Sequence, residues 1–244
     1  MAIDNITNIK EWSAVPQNVI ADFGDEGDFS RQHLLNPILL NLLGNVKGKH
    51  ILDAGCGNGY LSRKLAKKGA VVTGIEPADS LFQHAVASEK NNPLDIKYIQ
   101  VDLSNYAGTT SLYDVAVSNM VFMDIPDYEK AMSNCIKLLK PGGKLIFSIS
   151  HPCFEGSGAE WKEKGFLKTT DYFKEHSTKQ TFGYSFHRPL SKYTKLLTQN
   201  NCLIEEIYEP QLSEEVAQEY PEYERDHHIP SFIIISSIKM QTKD

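Results

Sequence analysis

The sequence predicts an α/β protein built on a doubly wound, mostly parallel sheet. Between residues 49 and 150, short β-rich runs alternate with amphipathic helical patterns. The first of these runs ends in a loop with three glycines, Gly55, Gly57 and Gly59, directly before a helical pattern. The 244 residues are 41% hydrophobic and 23% charged, a composition typical of a globular chain. Alternating strands and helices imply parallel pairing through right-handed crossovers.

The elements of this region follow from local patterns. Tyr60–Lys68 has Leu61 and Leu65 four residues apart and basic residues in its last turn, which indicates a helix, and Gly69 ends it. The sequence Pro141-Gly142-Gly143 stops a later helix. The other predicted elements are strands at Lys49–Ala54, Ala70–Ile75, Ile96–Val101, Tyr113–Ser118 and Lys144–Ser150, and helices at Ala78–Lys90 and Tyr128–Leu139.

The regular alternation stops after residue 150. Residues 151–188 are aromatic and polar without clear periodicity, and Pro189–Asn200 then has a helical pattern. Two further strands, Cys202–Tyr208 and Ser231–Lys239, are separated by an acidic loop over 209–230. Since no linker separates two cores, we predict a single domain, 1–244. Its parts are an N-terminal extension or lid (1–48), a cofactor-binding core (49–150), a substrate-side insertion (151–188) and C-terminal strands (189–244).

Charge and cysteine usage narrow the function classes. The formal net charge of −6 argues against a broad basic surface for nucleic acid or an anionic membrane. No signal-peptide pattern and no apolar run of bilayer length is visible. The cysteines are scattered without a C-x-x-C pair, so neither a disulfide framework nor a metal site is expected. We therefore expect a cytoplasmic monomer or homodimer that acts on a small molecule.

The glycine loop predicts a site for an adenosine-containing cofactor. Glycines allow positive φ and close backbone approach, and a helix N-terminus exposes unpaired N–H groups. Glu76 ends the second strand about 20 residues further on, where an acid can bind ribose hydroxyls. The spacing does not fit the G-x-G-x-x-G dinucleotide pattern, because Tyr60 stands where its third glycine would be. An NAD-linked oxidoreductase is thereby disfavoured.

Five segments in order resemble the motifs of class I S-adenosylmethionine-dependent methyltransferases, in particular the type 11-like bacterial small-molecule group. They are ILDAGCGNGYLSRKLA, VVTGIEP, YIQVDLS, YDVAVSNMVFMDIPD and KLLKPGGKLIFSIS, and they cover about residues 49–150. The resemblance implies a Rossmann-like seven-stranded sheet whose last strand is antiparallel, and S-adenosylmethionine as the cofactor.

The resemblance also implies roles for individual residues. Asp53, Gly55 and Gly57 of the first motif would line the methionine side of the cofactor, and Cys56 in the same loop is a further predicted cofactor contact. Glu76 would bind the ribose, and Asp102 would approach the adenine amino group. The remaining predicted cofactor contacts are Pro77 and Leu103 at the adenine and Asn119 and Met120 under the sulfonium. Asp102 could instead cap the turn after its strand, Met120 could be plain core, and Asp53 could also brace the glycine loop.

A catalytic group is harder to predict, because methyl transfer from a sulfonium depends mainly on alignment of the reacting atoms. A base helps only when the acceptor must lose a proton. His151 is the candidate, since it follows the fifth strand at the ligand-binding edge and has a suitable pKa range. The alternative is that His151 shapes the turn before Pro152.

Three further residues are predicted to contact the substrate besides His151. Trp12 and Arg31 lie in the extension, which resembles the lid of small-molecule methyltransferases. Arg188 could bind a substrate carboxylate, or it could brace the insertion. The aromatic residues of the insertion would enclose an apolar or planar acceptor. We expect methyl transfer to nitrogen or oxygen of a small molecule, the alternatives being an RNA or protein methyltransferase or a cofactor-binding module without catalysis.

Overall fold

The protein folds around a seven-stranded sheet with the strand order β3-β2-β1-β4-β5-β9-β8. The computed structural model describes residues 3–155 and 158–241. Five strands are parallel, and β9 pairs antiparallel with both β5 and β8. In chain order the strands of this sheet are β1 (His50–Ala54), β2 (Val71–Ile75), β3 (Lys97–Ile99), β4 (Tyr113–Asn119), β5 (Leu139–Ser150), β8 (Cys202–Tyr208) and β9 (Phe232–Lys239). The predicted seven-stranded sheet with an antiparallel last strand is confirmed.

Helices cover both faces of the sheet. They are α1 (Asn5–Trp12), α2 (Gln17–Asp22), α3 (Asn36–Leu43), α4 (Tyr60–Lys67), α5 (Asp79–Asn91), α6 (Tyr128–Leu138), α7 (Gly158–Lys164), α8 (Leu190–Gln199), α9 (Glu214–Glu219) and α10 (Arg225–His228). The α3 and α4 leucines pack with Ile51 on one face, whereas α6 and α8 pack with Leu52 on the other. Ile51 and Leu52 point to opposite faces because side chains alternate along a strand.

Burial on both faces explains the composition of the central strands. The described residues Ala116, Val117, Ile146 and Phe147 of β4 and β5 are fully buried, so these strands have apolar residues at nearly every position rather than at every second one. The N-terminal extension reaches the same core through α3, whose Leu39 is fully buried. This helix therefore covers a face of the sheet.

Several local expectations differ from the structure. The β5 strand begins at Leu139, earlier than the predicted Lys144, and so includes Pro141-Gly142-Gly143, while the helix before it ends at Leu138. The insertion contains a two-stranded hairpin of β6 (His176–Lys179) and β7 (Tyr184–His187), and the acidic loop 209–230 contains α9 and α10. Residues 156 and 157 of the predicted insertion lie outside the described part of the chain. Within that part, no helix is long and apolar enough to cross a membrane.

Candidate functional site

A large cleft opens at the carboxyl ends of β1, β2 and β4. The strand order reverses between β1 and β4, and open α/β sheets bind ligands outside such a point. The cleft contains about 1080 Å³ of space between its walls, including the part that is open to solvent. It is lined by all ten residues predicted for the cofactor, Asp53, Gly55, Cys56, Gly57, Glu76, Pro77, Asp102, Leu103, Asn119 and Met120. Trp12 and Arg31 line it as well.

The glycine loop forms the floor of the cleft, with Gly55, Gly57 and Gly59 all at positive φ. The N–H groups of Gly55 and Cys56 both donate to the carbonyl oxygen of Ile75 at 2.9 Å, which ties the loop to the end of β2. A side chain at Gly55 would collide with Val121, whereas one at Gly57 would meet no atom within 4 Å. Gly57 is therefore the position at which a ligand can approach the backbone most closely.

Glu76 joins the glycine loop to the loop after β2. Its two carboxylate oxygens accept hydrogen bonds from the N–H groups of Gly57 at 2.9 Å and of Ala78 at 2.8 Å. The residue is only 7% exposed, and burial raises the pKa of its carboxyl to about 7. Each oxygen retains a lone pair beyond these bonds, so Glu76 can still accept hydrogen bonds from ligand hydroxyls.

Asp53 supports the loop from beneath. It accepts a hydrogen bond from the Ser62 hydroxyl at 2.6 Å, and burial raises the pKa of its carboxyl to about 6. The bond connects the end of β1 to α4, so Asp53 holds the loop and helix together. This geometry agrees with the bracing role, and because Asp53 also lines the cleft, it leaves the cofactor role as a prediction.

A chain of hydrogen bonds fixes the residues at the end of β4. The Ser148 hydroxyl donates to Asn119 at 2.6 Å, the Asn119 amide donates to the Tyr60 hydroxyl at 2.7 Å, and that hydroxyl donates to Asn36 at 3.0 Å. Met120 has φ of 62°, an uncommon backbone conformation for a residue other than glycine. The chain fixes the end of β4, and Met120 enters the cleft from it.

The N-terminal helix α1 forms the roof of the cleft. Asn5, Asn8, Ile9 and Trp12 share one face of this helix, because they are spaced three, four and seven residues apart, and all four line the cleft. Asp102 accepts hydrogen bonds from the Asn5 amide at 2.8 Å and from the Ser104 N–H at 2.9 Å. Asp102 thus caps the turn after its strand, which was the alternative role predicted for it, and it also holds α1 through Asn5.

Asn8 connects the roof to two other parts of the molecule. Its amide donates to the carbonyl oxygen of Asp124 at 2.5 Å, and its side-chain oxygen accepts from the N–H of Tyr184 at 2.7 Å. In the same hairpin, a side chain at Gly183 would collide with the Trp12 indole. The insertion therefore packs against α1 and holds it over the cleft.

His151 and Arg188 do not line the cleft. The Nε2 atom of His151 bonds Glu209 at 2.9 Å, and its Nδ1 accepts from the Cys153 N–H at 3.2 Å. Both ring nitrogens are therefore engaged, Nδ1 within the turn at Pro152 and Nε2 with Glu209, and this geometry favours the turn role. The role of His151 as a base or substrate contact remains a prediction, although the residue is not among those that line the cleft.

Arg188 also has a structural environment, which agrees with bracing and not with binding of a substrate carboxylate. Its guanidinium donates to the carbonyl oxygens of Phe122 at 3.1 Å, Ile125 at 2.8 Å and Pro126 at 3.2 Å. The group also lies 4.0 Å from the centre of the Tyr128 ring. With these donors occupied, Arg188 secures the turn after β4 from behind, and the expected contact with a substrate carboxylate has no support in this geometry.

Tyr60, Asn8 and Asp124 are three of the lining residues that the sequence did not single out as contacts. Tyr60 was noted only for breaking the dinucleotide pattern, although its hydroxyl belongs to the hydrogen-bond chain. Asn8 gave no signal beyond its spacing from Asn5 and Trp12 on one helical face. Asp124 lies on the short helical turn Phe122–Asp124 that follows β4, and burial raises the pKa of its carboxyl to about 7.

Comparison with known proteins gives consistent matches. A family model described as a methyltransferase domain matches residues 30–205. The ubiquinone biosynthesis O-methyltransferase of Coxiella burnetii is 38% identical over 132 residues, which are 53% of this chain and 56% of that protein. The protein of the same name from Salmonella newport is 32% identical over 128 residues, 50% and 53% of the two chains. The chain thus spans about half the length of the curated relatives that it matches.

Solved structures share the fold. The crystal structure of an S-adenosylmethionine dependent methyltransferase from Mesorhizobium loti superimposes with a TM-score of 0.74. The match covers 88% of this chain and 100% of that one at 23% sequence identity. At 23% identity, this similarity shows the fold alone, that is, the arrangement of the sheet and its helices.

Proposed function

Because the chain belongs to the methyltransferase domain family, whose enzymes use S-adenosylmethionine, we propose that it transfers the methyl group of this cofactor to an oxygen or nitrogen of a small-molecule acceptor. The observation that carries the proposal is the cleft at the β1–β4 switch point. It gathers the glycine loop, Glu76, Asp102 and the end of β4 around one space under α1.

The residues present fit this cofactor. Gly57 leaves its space open to a ligand, and Glu76 retains acceptor capacity for the two ribose hydroxyls. Pro77 and Leu103 provide apolar surface for an adenine on the Asp102 side of the cleft, and Asn119 and Met120 lie at the end of β4 for the methionine part. When bound, the sulfonium supplies an activated methyl group, so the chain's task is chiefly to align an acceptor with it.

A small acceptor fits the roofed part of the cleft. Ile9, Trp12, Phe23 and Ile125 contribute apolar surface there. The Coxiella relative is named for O-methylation in ubiquinone biosynthesis, which favours a small molecule with a hydroxyl group as acceptor. The net charge of −6 speaks against a nucleic-acid substrate as the alternative.

The division of labour follows the order of the chain. We propose that residues 1–244 form one domain, in which 49–150 bind the cofactor while 1–48 and 151–188 close over the acceptor. The hydrogen bonds from Asn8 to Asp124 and to Tyr184 support this division, because they join the extension, the core and the insertion at one point. We also propose that the chain is a monomer or a homodimer.

The test is a calorimetric titration of the purified chain with S-adenosylmethionine, S-adenosylhomocysteine and NAD under one set of conditions. We expect both sulfur compounds to bind and NAD not to bind. Binding of NAD alone would overturn the assignment. A second arm follows S-adenosylhomocysteine formation with panels of phenols, catechols and amines. Methylation of bulk tRNA or of a protein fraction instead would favour a macromolecular acceptor, and binding without any product would favour a non-catalytic module.

A further inference from the structure

Four carboxylic acids among the described residues line the cleft, and three of them serve its construction. Asp53 holds Ser62, and Glu76 holds the N–H groups of Gly57 and Ala78. Asp102 holds Asn5 together with the backbone and side chain of Ser104. These carboxylates orient loops, and a change in their charge would disturb the cleft itself.

The fourth acid, Asp124, has a different environment. The hydroxyl of Ser185 is its hydrogen-bonding neighbour, and no backbone N–H of the described residues donates to its side chain. Its own carbonyl oxygen is held by Asn8, so the position of the backbone is fixed, and Asp124 is one of the residues that line the cleft. A carboxylate on a fixed backbone that is bonded by one hydroxyl keeps acceptor capacity for a ligand.

Asp124 lies in the part of the cleft that we assign to the acceptor. It shares one stretch of chain with Asn119 and Met120, and its neighbours along the cleft wall include Ile9 and Ile125. Apolar walls exclude water, and they strengthen the interaction of a carboxylate with a bound O–H or N–H group.

The charges around Asp124 come from three elements. Arg31 in the extension and Arg188 after β7 both lower the pKa of the Asp124 carboxyl, and Asp124 in turn raises the pKa of Tyr193 on α8. Arg31 is paired with Asp28, and Arg188 is bonded to three carbonyl oxygens. Burial outweighs these cations and leaves the pKa at about 7, near the value at which a base works best in neutral solution.

We propose that Asp124 is the base that accepts the proton lost by the acceptor's O–H or N–H group during methyl transfer. The acceptor heteroatom bonds the methyl carbon as the carbon–sulfur bond breaks and its electron pair stays on sulfur. The acceptor's proton passes to an Oδ atom of Asp124. A sulfonium, a carboxylate and a neutral acceptor thus become a thioether, a neutral carboxyl and a methylated product, so atoms and charge balance. This inference rests on the proposed function.

The first experiment measures the ionisation of Asp124 directly and needs no acceptor. The chain is labelled with ¹³C at aspartate carboxyls, bound to S-adenosylhomocysteine and titrated by NMR, with assignment through the backbone. We expect the Asp124 carboxyl to titrate within about one unit of its raised pKa. Titration below pH 5 would overturn the proposal, because such a carboxylate is a weak base. Because it uses the wild-type chain, this arm remains decisive if a variant does not fold.

The second experiment compares Asp124→Asn with Asp127→Asn, a matched change at an exposed acid three residues away. With 4-nitrocatechol as the acceptor probe, we expect Asp124→Asn to lower kcat by about 10²-fold or more while the affinity for S-adenosylhomocysteine stays within about twofold. We also expect the acidic limb of the kcat–pH profile to disappear in Asp124→Asn alone. Wild-type turnover and profile in Asp124→Asn would overturn the proposal.

These outcomes separate the two levels of inference. If the wild-type chain binds neither S-adenosylmethionine nor S-adenosylhomocysteine, the proposed function itself fails, and the role of Asp124 fails with it. If the chain binds S-adenosylhomocysteine but Asp124 is fully ionised at pH 5, only the role of Asp124 fails.

Discussion

Replacing Glu76 by glutamine tests how much the ionisation of this buried carboxyl lowers the stability of the fold. The substitution keeps the shape of the side chain and removes its charge. In the folded chain Glu76 is buried between the glycine loop and the start of α5, where burial raises the pKa of its carboxyl from 4.5 to about 7. In the unfolded chain the carboxyl has its ordinary pKa. The folded state therefore holds a proton over a pH range in which the unfolded state has released it.

The magnitude follows from the difference between the two pKa values. Each pKa unit corresponds to roughly 1.4 kcal/mol, so full ionisation of Glu76 lowers the free energy of unfolding by about 3 kcal/mol. For an acid whose pKa is raised in the folded state, the stabilisation is fully present below pH 4.5 and is lost as the pH rises through about 7. Asp53 and Asp124 contribute in the same direction, and because the Asp53 charge adds to the burial that raises the pKa of Glu76, part of the Asp53 contribution is lost in the variant as well.

The assay is thermal unfolding of the ligand-free chain between pH 5 and pH 8.5, for wild type, Glu76→Gln and the exposed control Glu163→Gln. We expect the wild type and the control to lose about 3 kcal/mol more than Glu76→Gln over this range. For a domain of this size, the difference is roughly 6–12 °C in Tm. Parallel pH dependences of wild type and Glu76→Gln would refute the reasoning, because they would mean that Glu76 is ionised throughout.

Three further substitutions test the cleft and its roof. Gly57→Val is expected to abolish binding of S-adenosylhomocysteine, measured by calorimetry, and to lower the free energy of unfolding by about 1–3 kcal/mol. The control is Gly142→Val, because Gly142 also has a positive φ and open space around it but lies outside the cleft. This control should lower stability and leave binding intact. Asn8→Ala removes the hydrogen bonds from Asn8 to Asp124 and Tyr184, so we expect faster release of S-adenosylhomocysteine in stopped-flow experiments. If Asn8→Ala releases it at the same rate as the exposed control Ile6→Ala, Asn8 does not hold α1 over the ligand. His151→Ala should lower Tm while kcat stays within about threefold, and a large loss of kcat at unchanged Tm would restore His151 as a catalytic candidate.

The sheet and the floor of the cleft were predictable because their signals are local. The strand bounds Cys202–Tyr208 match the structure, since apolar residues at both ends of that segment flank its two glutamates. The glycine loop and Glu76 follow strand ends, and parallel strands bring their carboxyl ends to one edge of the sheet. For the same reason all ten predicted cofactor residues meet in one cleft.

The roof and the acceptor side were not predictable from local patterns. The β6–β7 hairpin lies largely at the surface, so it has no apolar periodicity to reveal it, and its position depends on Trp12 and Asn8 far away in sequence. His151 follows a strand end as Glu76 does, yet its ring turns towards Glu209 and away from the cleft. Direction of a side chain after a strand is set by partners that sequence spacing does not specify.

The hydrogen bond between Asn8 and Tyr184 has a consequence for the order in which parts of the chain fold. Asn8 and Tyr184 are separated by 176 positions along the chain, so their contact closes a very large loop and gains nothing until most of the sheet exists. The glycine loop and the end of β2, by contrast, are joined by contacts over about 20 positions. During refolding, the floor of the cleft is thus expected to form before α1 and the hairpin dock over it, so a ligand present early would meet an open site that closes around it.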